Sequence, residues 1–195
     1  RRVLFRSFPF ALRLPKDNGL SREAVLIQQA NQSYYERLPV EIIESIFPSV
    51  EMDGKTFEHG IQEILSTSWN SDKPHIILLA DGGMGKSTML LDACRKMDNA
   101  LYVSPESLLT IGYGIEEYCA HELFDGSISR LRNFTRDKHS EPNLVLVVDG
   151  LNEVDGEAEQ KFITEIKRLN LQKGIQVIIS SRSDFTPRYS MSGYQ

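Results

Sequence analysis

Two short runs of this chain are apolar at every position, Ile76-Ile77-Leu78-Leu79 and Leu144-Val145-Leu146-Val147-Val148, and a third, Ile175 to Ile179, is apolar but for Gln176. A run without polar alternation has no face to offer water. It fits a strand buried on both sides, and such strands belong to parallel sheets covered by helices. The segments between the runs supply those helices: Ser87 to Lys96 with Leu90, Leu91 and Cys94 inward, Ile115 to Phe124, and amphipathic Glu157 to Leu169. Leu101-Tyr102-Val103 adds a short fourth strand. Strands alternating with helices predict an α/β fold in three layers with a mainly parallel sheet. A short helical N-terminal segment precedes it, because Ser21, Glu23 and Ala24 open a mostly polar stretch to about Leu38 with Ala24, Ile27, Ala30 and Tyr34 at helical spacing. Pro39 and Pro48 then bracket an apolar segment, Val40 to Phe47, and Phe57 to Trp69 carries Phe57, Ile61, Ile64 and Leu65 on one helix face.

Composition narrows the class. The 195 residues, 41% hydrophobic and 25% charged, can bury a core, and no stretch approaches the roughly 18 consecutive apolar residues of a membrane span. A soluble, cytoplasmic chain with no membrane partner is expected. The net charge of −5 argues against a broad footprint on nucleic acid. Cys94 and Cys119 sit in apolar patterns and not at metal-ligand spacing, which predicts buried, reduced thiols. Arg1 to Ser7 resembles the in-frame translation of a common sequencing adaptor and is set aside as an artefact. Arg6 and Arg13 interrupt the apolar stretch Phe8 to Leu14, and no small-residue cleavage site follows, against a secretory signal. Tyr189 to Gln195 ends without a cap or packing element, as expected of a fragment of a longer reading frame.

Directly after the first apolar run stands Ala80-Asp81-Gly82-Gly83-Met84-Gly85-Lys86-Ser87-Thr88, the Walker A pattern with Ala80 in place of its first Gly. Backbone N–H groups of such a loop face one concavity, and the N-terminus of the following helix adds partial positive charge, so phosphates meet donors already arranged. Lys86 brings a full charge to the β- and γ-phosphates. Ser87 offers its hydroxyl to Mg²⁺, and Thr88 contacts the α-phosphate or starts the helix. Strand before, loop, helix after and Lys-Ser in register together predict a nucleotide site.

The second run ends in Asp149, a carboxylate at the C-terminal edge of a buried strand, where ligands of open α/β sheets bind. Asp149 is the Walker B candidate for holding Mg²⁺, and Glu153, after Gly150-Leu151-Asn152, is the candidate base for the water attacking the γ-phosphate. Ile178-Ile179-Ser180-Ser181-Arg182 ends the third run on an Arg that can present a fixed fork to the γ-phosphate. Lys86, Asp149, Glu153 and Arg182 form the expected catalytic set. His59, His75, His121 and His139 are scattered over helices and loops and read as solvated or core residues, and Arg130, Arg132 and Arg136 as one solvated helix face.

Together, residues 80–88, LVLVVDGLNEV at 144–154 and IISSR at 178–182 resemble the Walker A, extended Walker B and sensor 1 of a NACHT-family NTPase of the STAND class. The small Gly150 after the metal Asp, with an acid further along, is the distinguishing feature, and Asn152 stands where family members often carry Asp. The resemblance implies a three-layer P-loop NTPase fold over about residues 55–190, binding ATP or ADP with Mg²⁺. On that division residues 8–54 are a helical linker or the end of an upstream domain, and 55–195 a NACHT-like domain truncated at its C-terminus.

The resemblance further implies a slow ATPase switch for signalling or innate defence. ADP would hold a closed monomer, and ATP would favour an open homo-oligomer that activates an effector, the effector and sensor domains lying outside this chain. Apolar residues before the first strand, Pro39 to Phe47, are where an adenine pocket is expected. Two alternatives remain at this point. One is an AAA+ mechanical ATPase, though its strand would end Asp-Glu; the other is a nucleotide-binding scaffold with negligible turnover.

Overall fold

A computed structural model describes residues 20–36, 50–52, 55–57, 61–72, 74–154 and 156–183. Helix α1 (Arg22–Tyr35) opens at Ser21, whose hydroxyl accepts the amide N–H of Ala24, the N-cap that the sequence pattern predicts. A hairpin of β1 (Val50–Met52) and β2 (Lys55–Phe57) follows, then α2 (Ile61–Trp69). This corrects the expectation for Phe57, which pairs with Val50 as a strand residue and does not join the helix. Next come β3 (Ile76–Leu79), α3 (Lys86–Lys96), β4 (Ala100–Val103), α4 (Pro105–Ile111), α5 (Ile115–Phe124) and α6 (Ile128–Phe134). The described chain closes with β5 (Leu144–Val148), a short 3₁₀ turn (Leu151–Glu153), α7 (Gly156–Leu169) and β6 (Ile175–Ser181).

The main sheet has four strands, all parallel, in the order β3-β6-β5-β4. All residues of β4, β5 and β6 are buried, as the absence of alternation requires. One face packs Ile76, Leu78, Val145, Val147 and Ile178 against α2 and α3. The other packs Leu144, Leu146, Val148, Val177 and Ile179 against α5 and α7. Three layers result, and parallel strands bring the residues that follow β3, β5 and β6 to one edge.

Helix α1 straddles the outer edge of β4, with Ile27 in one core and Tyr34 in the other. Its Asn31, fully buried, donates from Nδ2 to the Ala100 carbonyl (2.8 Å) and accepts the Tyr102 N–H on Oδ1 (2.8 Å). Those two bonds replace the ones a fifth strand would make. Gln28 donates to the carbonyls of Cys94 and Met97, closing the C-terminal end of α3.

No helix among the described residues is long and apolar enough to cross a membrane. Cys94 and Cys119 are free and buried, and burial pushes both thiols well above their ordinary range. The three arginines are exposed, as expected, but they do not form one helix face. Arg132 makes a two-pronged ion pair with the buried carboxylate of Glu116, Arg130 pairs with Asp125, and Arg136 lies past the end of α6. His75 is buried in the core, whereas His121 and His139 are exposed; His59, Pro39 to Phe47, and both chain ends lie outside the described residues.

Candidate functional site

Ala80 continues the line of β3, donating its N–H to the Ser181 carbonyl (3.4 Å), so the first position of the loop needs no left-handed backbone. The chain then leaves the sheet. Gly83 and Gly85 have φ of +78° and +77°, angles that residues with a Cβ avoid, and the loop turns through them directly into α3. A Cβ built at Gly82, Gly83 or Gly85 would meet nothing within 4 Å, so the loop borders open space. Lys86 folds back along it, its Nζ donating to the carbonyls of Ala80 (2.5 Å) and Asp81 (3.0 Å). The hydroxyl of Ser183 donates to the Asp81 carboxylate and fastens the start of the loop to the end of β6.

Asp149 follows β5 and is buried. Its two carboxylate oxygens are both engaged, Oδ2 by the hydroxyl of Tyr102 from β4 and Oδ1 by the hydroxyl of Ser180 from β6. Ser180 in turn accepts the Gly150 N–H (3.1 Å). Burial and the neighbouring Asp149 charge raise the hydroxyl pKa of Tyr102 far above its ordinary range, which keeps it a proton donor.

Gly150 turns left-handed at φ +80°, and a Cβ there would stand 2.6 Å from the Glu153 carboxylate. The small residue therefore makes room for Glu153 to fold back over the strand end. Partial burial, then the charges of Asp149 and Glu106, raise the pKa of Glu153, while Arg182 and Lys86 oppose them. Asn152 Oδ1 accepts the Ser181 hydroxyl (3.1 Å) and the Arg182 N–H (3.2 Å), tying the turn after β5 to the end of β6.

Because β6 lies between β3 and β5, Ser180 and Arg182 come between the glycine loop and Asp149. The three segments line one cleft of about 390 Å³, formed by residues 82–88, Asp149, Gly150, Asn152, Glu153, Ser180 and Arg182. Every candidate residue from Gly82 onward thus meets in one cavity, whereas Ala80 and Asp81 do not line it and are tied to it by their carbonyls, which accept from Lys86. Ser87 and Thr88 open α3 on the cleft side.

Sequence reasoning missed the hydrogen-bonding shell of Tyr102, Ser180, Asn152 and Ser183. A tyrosine in a buried strand does carry a signal, since a buried hydroxyl needs a partner, but not the identity of that partner. Among the described residues no group of three or more His, Cys, Asp and Glu could hold a metal ion by itself. The chain matches no protein-family model, and no curated protein matches it.

Proposed function

We propose that this chain is the nucleotide-binding part of a NACHT-type switch of the STAND class, which binds ATP or ADP with Mg²⁺ and hydrolyses ATP slowly. The observation that carries the proposal is the shared cleft. Loop 82–88, Asp149 with Glu153, and Arg182 are distant in sequence and border one cavity at the C-terminal edge of a parallel sheet.

The residues fit a magnesium nucleotide. Open space around Gly82, Gly83 and Gly85 leaves room for phosphates against the loop, whose amides and following helix suit anions. Lys86 can exchange two carbonyl partners for phosphate oxygens. Ser87 and Asp149 would hold the metal, and one carboxylate suffices because Mg²⁺ takes one or two from the protein and completes its shell with phosphate and water. Two donors on Asp149 use about half of its four lone-pair sites. Bound there, Mg²⁺ would neutralise charge on the β- and γ-phosphate oxygens.

Glu153, folded back over the strand end with its pKa raised by burial and by Asp149, is placed to take a proton from the attacking water. Arg182 faces the same cleft and would hold the γ-phosphate, which makes it the residue that distinguishes triphosphate from diphosphate. Coupling of nucleotide state to oligomerisation and to an effector is part of the same proposal. A nucleotide shifts such a balance only by its differential affinity for the two forms, about 1.4 kcal/mol per tenfold.

Equilibrium binding and multiple-turnover phosphate release test it. Lys86→Ala should abolish ATP binding, whereas Glu153→Gln should keep binding and slow release about a hundredfold. Unchanged affinity in Lys86→Ala would remove the phosphate-loop assignment. Binding without measurable release in the unmodified chain would leave a nucleotide-holding scaffold instead of an ATPase.

A further inference from the structure

Tyr102 is held from two sides. Its hydroxyl donates to Asp149 Oδ2, while helix α1 grips the rest of the residue: Asn31 accepts the backbone N–H at 2.8 Å, and the Tyr34 ring stands 4.7 Å from the Tyr102 ring at 58°. The phenol reaches Asp149 from β4, the strand next to β5, where Tyr102 pairs with Val147. A second donor, Ser180, arrives from β6 on the other side, so the Asp149 carboxylate is spanned between its two neighbouring strands. The two donors fix the plane of the carboxylate and thereby the directions of its remaining lone pairs. The Ser180 arm leads to the Gly150 N–H in the turn after β5, whereas the Tyr102 arm leads on to helix α1.

We infer that Tyr102 is a positioning residue that orients Asp149 toward a metal–nucleotide complex and couples occupancy of that site to the docking of α1. The inference rests on the nucleotide proposal above. Any ligand that favours the Tyr102-bound orientation of Asp149 favours the Tyr102 position that α1 grips. Thermodynamic linkage makes the relation reciprocal, so a docked α1 must tighten the metal-dependent part of binding by the same factor. Helix α1 then serves as a readout of site occupancy, carried by one side chain and without a hinge.

The test compares nucleotide affinity with Mg²⁺ and with EDTA, using a slowly hydrolysed ATP analogue, and follows amide hydrogen exchange in α1 and β4. In the unmodified chain, Mg²⁺ with the analogue should slow exchange of α1 more than the analogue with EDTA does. Tyr102→Phe keeps the ring against Tyr34 and the backbone N–H bond to Asn31. It should lower affinity in Mg²⁺ about tenfold, leave affinity in EDTA unchanged and abolish the metal-dependent response of α1. A residue that merely stabilised the fold would lower both affinities together.

The unmodified chain tests the coupling without any variant, and an α1 that ignores the metal overturns the inference. If Mg²⁺–analogue binds and Tyr102→Phe behaves like the parent, the inference fails alone. If the parent binds no nucleotide, the underlying function fails and takes the inference with it.

Discussion

Glu153 lies over Gly150, and one added methyl group should separate turnover from binding. Gly150→Ala puts a Cβ 2.6 Å from the Glu153 carboxylate at a backbone angle unfavourable for alanine. The expected outcome is a stability loss of about 1 kcal/mol, ATP affinity within about threefold of the parent, and phosphate release slowed about tenfold or more. Binding and single-turnover assays on the one variant check both halves. The raised pKa of Glu153 also sets a pH signature. A base works when deprotonated, so the rate should rise with pH through a midpoint above the ordinary carboxylate value, and that limb should vanish in Glu153→Gln. Asp149, Glu153 and Lys86 were legible as single letters at fixed offsets from apolar runs. Tyr102 and Asn152 were not, because their partners lie 47 and about 30 positions away and only the sheet order brings them together.

Elements with a strong pattern emerged where the sequence put them. Helix α5 matches its expected bounds, Ile115 to Phe124, and β5 its own, Leu144 to Val148, the strand because a fully apolar run has few alternatives. Helices α4 and α6 have seven residues each, too few for periodicity to declare itself, and Phe57 was absorbed into a helical spacing that a three-residue strand also satisfies. At the start of β3, His75 accepts the Val177 N–H on Nδ1 at 3.2 Å, and burial lowers its pKa to about 4, with a contact to the Asn170 backbone pulling the other way. The unfolded chain protonates this histidine near pH 6.5 and the folded chain only near 4. Its contribution is therefore complete above about pH 6.5 and declines as pH falls toward 4, by about 3 kcal/mol in total. A nuclear magnetic resonance titration of the His75 ring, paired with urea unfolding across that interval, checks the value and the sign.

At the scale of the whole molecule, the parallel sheet would end at β4 in an open edge were it not for α1. Asn31→Leu keeps the bulk of the side chain but leaves the buried Tyr102 N–H and Ala100 carbonyl without the partners they now have. A loss of about 2–5 kcal/mol in urea unfolding is expected, with self-association visible by light scattering as the edge becomes available to another chain. The sequence indicated that α1 exists but not that it closes the sheet, because a lone Asn on a polar helix carries no mark of its target. A side-chain amide is chemically a peptide group whose nitrogen carries no onward chain, and Asn31 lends one to a sheet. For anyone splicing this unit into another protein, the usable seam consequently falls before Ser21, and a junction inside the turns that carry Gln28, Asn31 and Tyr34 would cut away part of the sheet itself.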